Sequence, residues 1–322
     1  MTRKVDRWVQ LEQPRLGARV TFATDEFFGA KERLIDPAPP VFIEDKYDDH
    51  GKWMDGWESR RRREPGHDWC VVRLGIPGVI HGFNVDTSHF TGNFPPRVSL
   101  EACASDEEVP EEGWVEIVPR TDIGGDTHNY LDVRNDTVFT HVRLHIYPDG
   151  GVARLRIFGE IRADFTDVDG YVDLAAVEHG GRPLDCSDQH YGNVHNLLAP
   201  GRPRNMGDGW ETARRRGPGN DWVIIALGQP GVIERAEIDT AHFKGNYPDR
   251  VSLEGAVFDS DDAARNDSPE WKTLLAESKL KMDQQHYFDD TLEDIGPVSH
   301  VRVSIYPDGG ISRVRLFGQV HG

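Results

Sequence analysis

A short stretch near residue 60 carries an unusual concentration of charged side chains. Residues 57–63 read Trp-Glu-Ser-Arg-Arg-Arg-Arg, in a chain whose formal net charge is -18. In an extended segment successive side chains point in opposite directions, so Arg61 and Arg63 share one side and Arg62 lies on the other. A guanidinium fork can bind a carboxylate through two parallel hydrogen bonds. One side of the run could bind an anionic ligand while the other forms structural ion pairs; alternatively, the run is a solvated loop.

A second stretch, residues 86–94, reads Asp-Thr-Ser-His-Phe-Thr-Gly-Asn-Phe. Asp86 and His89 could act as an orienting carboxylate and a general acid or base. Alternatively, Asp86 caps the turn and the imidazole of His89 satisfies a backbone carbonyl. The chain contains neither an HxH nor an HExxH pattern, so spacing alone assigns no metal ligands.

Both stretches occur twice in the chain. Residues 55–101 align without a gap with residues 208–254, and 29 of the 47 positions are identical. The neighbouring apolar positions changed identity, as core positions do when volume is roughly kept. The polar positions that the duplication left unchanged are therefore the candidates for chemistry: Glu58/Glu211, Arg61/Arg214, Arg62/Arg215, Arg63/Arg216, Asp68/Asp221, Asp86/Asp239, His89/His242, Asn93/Asn246 and Glu101/Glu254.

The duplication also predicts how the chain divides into domains. A further match pairs the residues that follow His141 with those that follow His300, so two copies cover nearly the whole chain. A repeat of this length is too long for a solenoid. We therefore predict two domains, residues 1–166 and 167–322, joined near residues 165–172.

Within each copy the local signals are those of β-strands. Short runs rich in Val, Ile and Leu are bounded by Gly, Pro and Asp turns, which is typical of antiparallel sandwiches with functional loops at one end. We predict an all-β chain of two tandem jelly-roll β-sandwich domains, similar to galactose-binding or discoidin-like domains. The Pro-Asp-Gly-Gly segments at 148–151 and 307–310 are interpreted as hairpin turns without a chemical role. The stretch at residues 32–40 predicts a single helical turn.

Composition excludes several classes of function. An acidic chain of 322 residues with a net charge of -18 is poorly suited to nucleic acid or to anionic membranes. Neither an apolar run of about 18 residues nor a leader pattern is present. The three cysteines favour a reducing compartment, and the final residues carry no peroxisomal address, so we expect a cytoplasmic protein. The chain also lacks phosphate-loop, GxSxG and CxxC motifs.

These motifs together resemble one enzyme family. MDGWESRRRR, GHDWCVVRLG and VDTSHFTGNFP in the first copy, with GDGWETARRR, NDWVIIALG and IDTAHFKGNYP in the second, are similar to allantoicases (allantoate amidinohydrolases). The resemblance spans essentially the full length and includes the duplication. It implies two tandem jelly-roll domains and a hydrolase of purine breakdown, which converts allantoate and water into ureidoglycolate and urea.

Allantoate carries one carboxylate and two ureido groups on a single carbon, so the resemblance suggests a role for each retained residue. Acid–base catalysis is assigned to Glu58, His89, Glu211 and His242. Binding of the substrate carboxylate is assigned to Arg61, Arg62, Arg214 and Arg215. Contacts with the ureido groups, or orientation of the histidines, are assigned to Asp86, Asn93, Asp239 and Asn246.

Several points remain open at the level of sequence. The resemblance implies a homo-oligomer and is compatible with a divalent cation such as manganese, but no clear metal cage is evident. A non-catalytic tandem module for a glycan or small anion, or a hydrolase of a related ureido compound, are the alternatives. The copies also differ, at Arg60/Ala213, Arg73/Ala226 and His67/Asn220 and in the longer loop 36–54 of the first copy. Either one copy is catalytic or both contribute to one site.

Overall fold

The structure is a computed structural model that describes residues 8–163, 171–266 and 270–321. The chain divides into two compact units, Met1–Arg162 and Ala163–Gly322. The predicted domain junction at residues 166 and 167 lies outside the described residues, so that boundary stays a prediction. Each unit is built almost entirely from β-strands, as expected for the predicted fold class.

The first unit begins and ends with strands that pair with each other. Short 3-10 helices occupy Pro14–Leu16 and Lys31–Ile35, and the second of these lies in the stretch predicted to form a helical turn. The strands described in this unit are β1 (Val9–Gln10), β2 (Arg19–Ala23), β3 (Tyr47–Asp48), β4 (Gly51–Lys52), β5 (Trp57–Glu58), β6 (Asp68–Asp86), β7 (Arg97–Cys103), β8 (Val115–Asp122), β9 (His128–Asp132), β10 (Val138–Tyr147), β11 (Gly151–Val152) and β12 (Arg154–Ile161).

The second unit repeats this arrangement. Its strands are β13 (Tyr171–Asp173), β14 (Arg182–Cys186), β15 (Trp210–Glu211), β16 (Asp221–Asp239), β17 (Arg250–Ala256), β18 (Lys272–Lys279), β19 (Gln285–Phe288), β20 (Val298–Tyr306), β21 (Gly310–Ile311) and β22 (Arg313–Val320). Its helical segments are 3-10 turns at Val177–His179, Val194–Leu198 and Met206–Asp208 and the short helix α1 (Asp261–Arg265).

One long strand organises each unit. Residues 68–73 of β6 pair with β10 alone of these two strands, residues 80–86 pair with β12, and Gly78 and Val79 pair with both. The change falls at the Gly-Ile-Pro-Gly sequence of residues 75–78, where a Cβ on Gly75 would lie 1.9 Å from the carbonyl oxygen of Leu16. A strand that passes from one sheet into the other joins the two layers of a sandwich. Strand order is the same in both units, β1-β12-β6-β10-β7-β8 and β13-β22-β16-β20-β17-β18, so the predicted jelly-roll duplication is confirmed.

The hairpin interpretation of the Pro-Asp-Gly-Gly segments is wrong. Gly150 has the positive φ, 135°, that such a turn requires. However, β10 and β12 lie on opposite flanks of β6 and do not pair with each other. A turn signature reports local backbone conformation and does not report which strands pair beyond it. The segment instead links the two ends of β6, because Asp68 N–H donates to the Pro148 oxygen at 3.1 Å and Ala153 N–H donates to the Asp86 oxygen at 2.8 Å.

The apolar positions that drifted between the copies form the core. Cys70, Val71 and Val72 of the first copy and Val223, Ile224 and Ile225 of the second are all buried.

Two tryptophans of the repeated motif are also core residues. Trp57 and Trp210 are fully buried, and their indole N–H groups donate to the backbone oxygens of Asp25 and Asp188, both at 2.8 Å. Pairing the indole N–H in this way allows a tryptophan to be buried without an unsatisfied donor.

A carboxylate, Glu12, lies in this core. It is completely buried, and its Oε2 accepts a hydrogen bond of 2.8 Å from the Ile157 N–H. The guanidinium of Arg156 is 3.6 Å from its other oxygen. Burial raises the pKa of Glu12 from 4.5 to about 7, although Arg156 acts in the opposite direction.

Glu12 should make the stability of the first unit depend on pH. Its pKa is higher in the folded state, so the folded chain binds more protons between pH 4.5 and about 7, and stability falls as pH rises through that window. We expect Glu12→Gln to remove this slope and to stabilise the unit above pH 7 by about 3 kcal/mol. Guanidinium chloride unfolding at pH 5 and pH 8 measures the effect, with the exposed Glu32→Gln as control. An unchanged slope in Glu12→Gln would contradict the prediction.

Candidate functional site

Glu58 is held rigidly at the end of the first unit that carries the repeated loops. Gly29 N–H donates to its backbone oxygen at 3.1 Å, and its own N–H donates to the Gly29 oxygen at 3.2 Å. The side chain is buried, and its Oε1 accepts a hydrogen bond of 2.8 Å from the Asn93 amide. Burial raises the pKa of Glu58, while the Asn93 hydrogen bond partly offsets this rise. Two residues predicted from separate motifs are therefore in direct contact.

The second copy has the same pair in a more open setting. Asn246 donates to Glu211, so the contact survived the duplication. Glu211 is only half-buried. The amide of Asn246 also lies 3.4 Å from the sulfur of Met206, which belongs to a segment that differs between the copies. The two pairs thus share the same hydrogen bond, but they differ in burial and in the residues around them.

The arginine run divides as the extended geometry predicts. Arg62 forms an ion pair of 2.7 Å with Asp68, whose side chain is almost fully buried, and its backbone N–H donates to Asp149 at 2.8 Å. Arg61 and Arg63 are exposed. Within residues 8–163, 171–266 and 270–321, neither of them has an ion pair or a hydrogen bond. Arg62 therefore has a structural partner, and Arg61 is available to a ligand.

The second copy repeats this division. Arg215 pairs with the buried Asp221, and its backbone N–H donates to Asp308 at 2.8 Å. Arg214 is exposed and, like its counterpart Arg61, forms no ion pair with any residue that the structure describes. Of the two arginines in each copy predicted to bind the substrate carboxylate, one is already engaged.

His89 and His242 have a strained backbone. Their φ angles are 71° and 70°, in the left-handed region that residues other than glycine rarely adopt. In each copy an aspartate stabilises this conformation, because the histidine N–H donates to Asp126 or to Asp283 at 2.7 Å. Strain retained at one position in both copies is typical of functional sites.

The histidine rings contact backbone carbonyls, as in the alternative in which Asp86 does not orient His89. His89 Nε2 lies 3.4 Å from the Pro40 oxygen, and His242 Nε2 lies 3.1 Å from the Pro203 oxygen. Because a carbonyl only accepts, Nε2 must be the donor in these contacts, and in a neutral imidazole this arrangement would leave the lone pair on Nδ1.

Asp86 instead caps the turn. Its Oδ1 accepts hydrogen bonds from the backbone N–H and the hydroxyl of Ser88, at 2.9 and 2.6 Å. In the second copy Asp239 accepts from the Ala241 N–H at 2.8 Å. The alternative interpretation of this motif, a turn cap beside a histidine that meets a carbonyl, is therefore the one that the geometry matches.

A loop insertion covers the histidine of the first copy. Residues 41–54 stand where the second copy has only residues 204–207, and they include the small hairpin of β3 and β4. The ring of Phe42, in this insertion, lies 5.7 Å from the ring of His89. The first copy thus has an extra wall beside its candidate base.

Known proteins resemble this chain along nearly its whole length. A family model described as the allantoicase repeat matches residues 9–162 and 172–321. The chain belongs to the allantoicase family. A protein of Burkholderia mallei named probable allantoicase 1 is 54% identical, over 97% of this chain and 94% of its own length. A probable allantoicase of Ralstonia nicotianae is also 54% identical, over 97% and 95%. The crystal structure of allantoicase from Saccharomyces cerevisiae is 38% identical, covers 97% of this chain and 93% of its own, and superposes with a TM-score of 0.82.

Each allantoicase repeat also contains a buried arginine that motif reasoning missed. Arg154 is 1% exposed and pairs with Asp55 at 2.8 Å, while its Nε donates to the Ala38 oxygen at 2.9 Å. Arg313 pairs with Asp208 in the same way at 3.0 Å. The available signal was an arginine retained at the start of the last strand of each copy, together with the aspartate that precedes Gly-Trp in both copies. These pairs anchor the loop in front of the site.

Asp126 and Asp283, which support the strained histidines, were also missed. The lengths of the copies differ between residues 104 and 140, so these aspartates do not align at the offset of the main motifs.

Within the described residues, no group of three or more His, Cys, Asp or Glu side chains comes together as a metal site. None of the described helices combines the length and apolar character needed to cross a bilayer.

Proposed function

We propose that this chain is an allantoicase that hydrolyses allantoate to ureidoglycolate and urea. Membership of the family and relatives named allantoicase over nearly the whole chain support this function. The observation that carries the chemistry is the buried Glu58, whose pKa is raised by desolvation and whose carboxyl group contacts Asn93. A carboxyl group whose pKa is raised holds its proton more firmly, which suits a general acid.

The reaction replaces one C–N bond by a C–O bond. In our proposal Glu58 donates its proton to the ureido nitrogen that leaves, so the electron pair of the C–N bond departs on neutral urea. Nδ1 of His89 takes a proton from the water whose oxygen bonds to the same carbon. Asn93, by donating to Glu58, fixes the direction of the acid. Glu211, His242 and Asn246 are the corresponding residues of the second copy.

Arg61 is our candidate for the substrate carboxylate because it is exposed and its neighbour Arg62 is already paired with Asp68. We expect Arg61→Ala to raise the KM for allantoate by about tenfold to a hundredfold with unchanged thermal stability, since one charge-assisted contact is lost. The paired variant Arg62→Ala should instead lower stability by about 1–3 kcal/mol, because Asp68 would lose its charged partner. Steady-state kinetics and thermal melts separate the two effects. A raised KM in Arg62→Ala alone would reverse the assignment.

The proposed function is tested by incubating the purified chain with allantoate and following urea and ureidoglycolate, with and without a chelator. Urea and ureidoglycolate in equal amounts are expected. Ureidoglycolate and N-carbamoyl amino acids serve as competing substrates. Turnover of one of these in place of allantoate would favour a related ureido hydrolase, and binding without turnover would favour the non-catalytic module. Chelator-sensitive activity would establish the need for a divalent cation such as manganese.

We also propose that the chain is cytoplasmic and forms a homo-oligomer, with no nucleic-acid or membrane partner. The acidic composition supports the last two points. Cell fractionation and size-exclusion chromatography with light scattering test the compartment and the assembly.

A further inference from the structure

The two copies differ at a polar cluster beside the turn that carries the histidine. In the second copy, the guanidinium of Arg202 lies against two carboxylates at the end of β16. Its Nη1 is 3.2 Å from Asp239 Oδ2, and its Nη2 is 3.4 Å from Glu237 Oε2. Both carboxylates are buried, whereas the side chain of Arg202 is 56% exposed. A planar group bearing N–H donors, supplied by the chain itself, therefore covers two buried acceptors.

Within residues 8–163, the first copy has no arginine at the corresponding position. Pro39 occupies the position that Arg202 has in the second copy. Hydrogen bonds to the residue before each of them establish this equivalence. The preceding residues, Ala38 and Gly201, each accept a hydrogen bond from the buried arginine of their own copy. Pro39 carries no side-chain donor, so nothing replaces the guanidinium at that position.

One of the two corresponding acceptors in the first copy has no hydrogen-bond donor. Asn84, which replaces Glu237, is 5% exposed. Its Nδ2 lies 3.0 Å from His128 Nδ1, but its Oδ1 is buried and has no hydrogen-bond partner. The free oxygen of Asp86, Oδ2, is 3.6 Å from the same His128 nitrogen. A buried amide oxygen without a donor is costly, and such groups are commonly satisfied by a ligand or by water.

The two arginines that lie opposite these residues in the sheet form ion pairs or hydrogen bonds with other groups. Arg154 and Arg156 lie directly opposite Asp86 and Asn84 in the sheet register. Arg154 pairs with Asp55, and Arg156 donates to the Asp36 oxygen at 2.7 Å. Neither arginine therefore donates to Asn84 Oδ1, which has no donor among the described residues.

We propose that Asn84, Asp86 and His128 form a subsite that binds one ureido group of allantoate, and that Arg202 occupies the equivalent place in the second copy. A ureido group is planar and carries N–H donors like a guanidinium, but it is neutral. The charges match this difference, because a cation faces two carboxylates in the second copy, whereas one carboxylate and one amide face the neutral group in the first. This inference rests on the proposed allantoate function and assigns substrate binding to the first copy.

The position of the subsite suits the proposed chemistry. Asp86 uses its other oxygen, Oδ1, to cap the turn through Ser88, and His89 follows directly in that turn. The side chain of Asp86 would therefore contact both the ureido group and the turn that carries the proposed base, His89. Positioning of this kind lowers the entropic part of the barrier.

N-carbamoylglycine is a suitable probe because it carries a carboxylate and one ureido group but lacks the second. N-acetylglycine is its matched control, since it lacks the terminal NH2. Isothermal titration calorimetry gives the dissociation constants, and inhibition of allantoate hydrolysis gives a second reading. We expect the wild-type chain to bind N-carbamoylglycine about tenfold more tightly than N-acetylglycine, as one additional hydrogen-bonding group allows.

Two matched double variants exchange the arrangements of the copies. Pro39→Arg/Asn84→Glu places the second-copy arrangement in the first copy, and Arg202→Pro/Glu237→Asn does the reverse. The first should weaken N-carbamoylglycine binding and raise the KM for allantoate by at least about tenfold, and it should abolish the preference over N-acetylglycine. The second should leave the KM within about twofold of wild type, because the first-copy subsite is untouched.

A raised KM in Arg202→Pro/Glu237→Asn with an unchanged KM in Pro39→Arg/Asn84→Glu would overturn the subsite. Wild-type binding of N-carbamoylglycine by Pro39→Arg/Asn84→Glu would overturn it as well. So would a wild-type chain that does not prefer N-carbamoylglycine to N-acetylglycine. Pro39 is exposed, so Pro39→Arg alone provides the same test if the double variant does not fold. The two proposals fail separately. A wild-type chain that releases no urea from allantoate contradicts the function, whereas normal turnover with an unchanged KM in the variants contradicts only the subsite.

Discussion

Replacing Glu58 by Gln is expected to lower kcat for allantoate by about 10²–10⁴-fold, the range typical of general acid–base residues. The amide keeps an oxygen that can accept the Asn93 hydrogen bond, so the local structure should persist. It cannot, however, supply an acidic proton to the leaving nitrogen. The loss should therefore appear in kcat with little change in the melting temperature.

The pH dependence provides a second reading of the same variant. Burial raises the pKa of Glu58, and the acid must be protonated to act, so wild-type activity should fall as pH rises through that pKa. Glu58→Gln should lose this alkaline limb. Glu211→Gln, measured in parallel, should cost less if the first copy binds substrate, and the exposed Glu32→Gln is the control for a general charge effect. Wild-type kcat in Glu58→Gln, or an intact alkaline limb, would remove Glu58 from the mechanism.

The largest loss of stability is expected from Asp55→Ala. Arg154 is 1% exposed, and Asp55 supplies its carboxylate partner at 2.8 Å. Removing that partner leaves a buried guanidinium with carbonyl oxygens only, which costs about 3–5 kcal/mol. The loop that begins at Ala38 should loosen as well, because Arg154 also donates to the Ala38 oxygen.

Guanidinium chloride unfolding measures this cost. The double variant Asp55→Ala/Arg154→Met should recover part of the lost stability, since it removes the unpaired charge together with its partner. Asp208→Ala should produce a loss of similar size in the second copy, where Arg313 has the same environment. A cost below about 1 kcal/mol for Asp55→Ala would place this pair among ordinary surface ion pairs.

The architecture was predictable because its signals are local and repeated. Strand runs bounded by turn residues, present twice, specify a tandem β-sandwich. Extended geometry predicted that Arg61 and Arg62 point to opposite sides, but it did not predict which of them has a structural partner, because retention has two causes. Arg62 is retained with its partner Asp68 for structural reasons, whereas Arg61 is retained without a partner among the described residues. A single sequence does not distinguish the two.

Backbone conformation explains which of the two interpretations of Asp86 and His89 the geometry matches. The spacing of three residues would allow contact in a helix or a regular turn, but the left-handed conformation of His89 sends its ring toward Pro40. The difference between Pro39 and Arg202 was not evident from the alignment of the two copies for another reason. It lies where the insertion 41–54 changes the alignment offset, so the two positions were never compared.

The tie between the two ends of β6 has a consequence for the history of the duplication. The same tie recurs in the second copy, where Asp221 N–H donates to the Pro307 oxygen at 3.1 Å and Ser312 N–H donates to the Asp239 oxygen at 2.7 Å. The copies have gained or lost residues in front of the repeated loops and between residues 104 and 140, yet residues 55–101 and 141–159 align with their counterparts without a gap. The two copies therefore differ in amino acids but not in length across β6 and across the segment that ties its two ends.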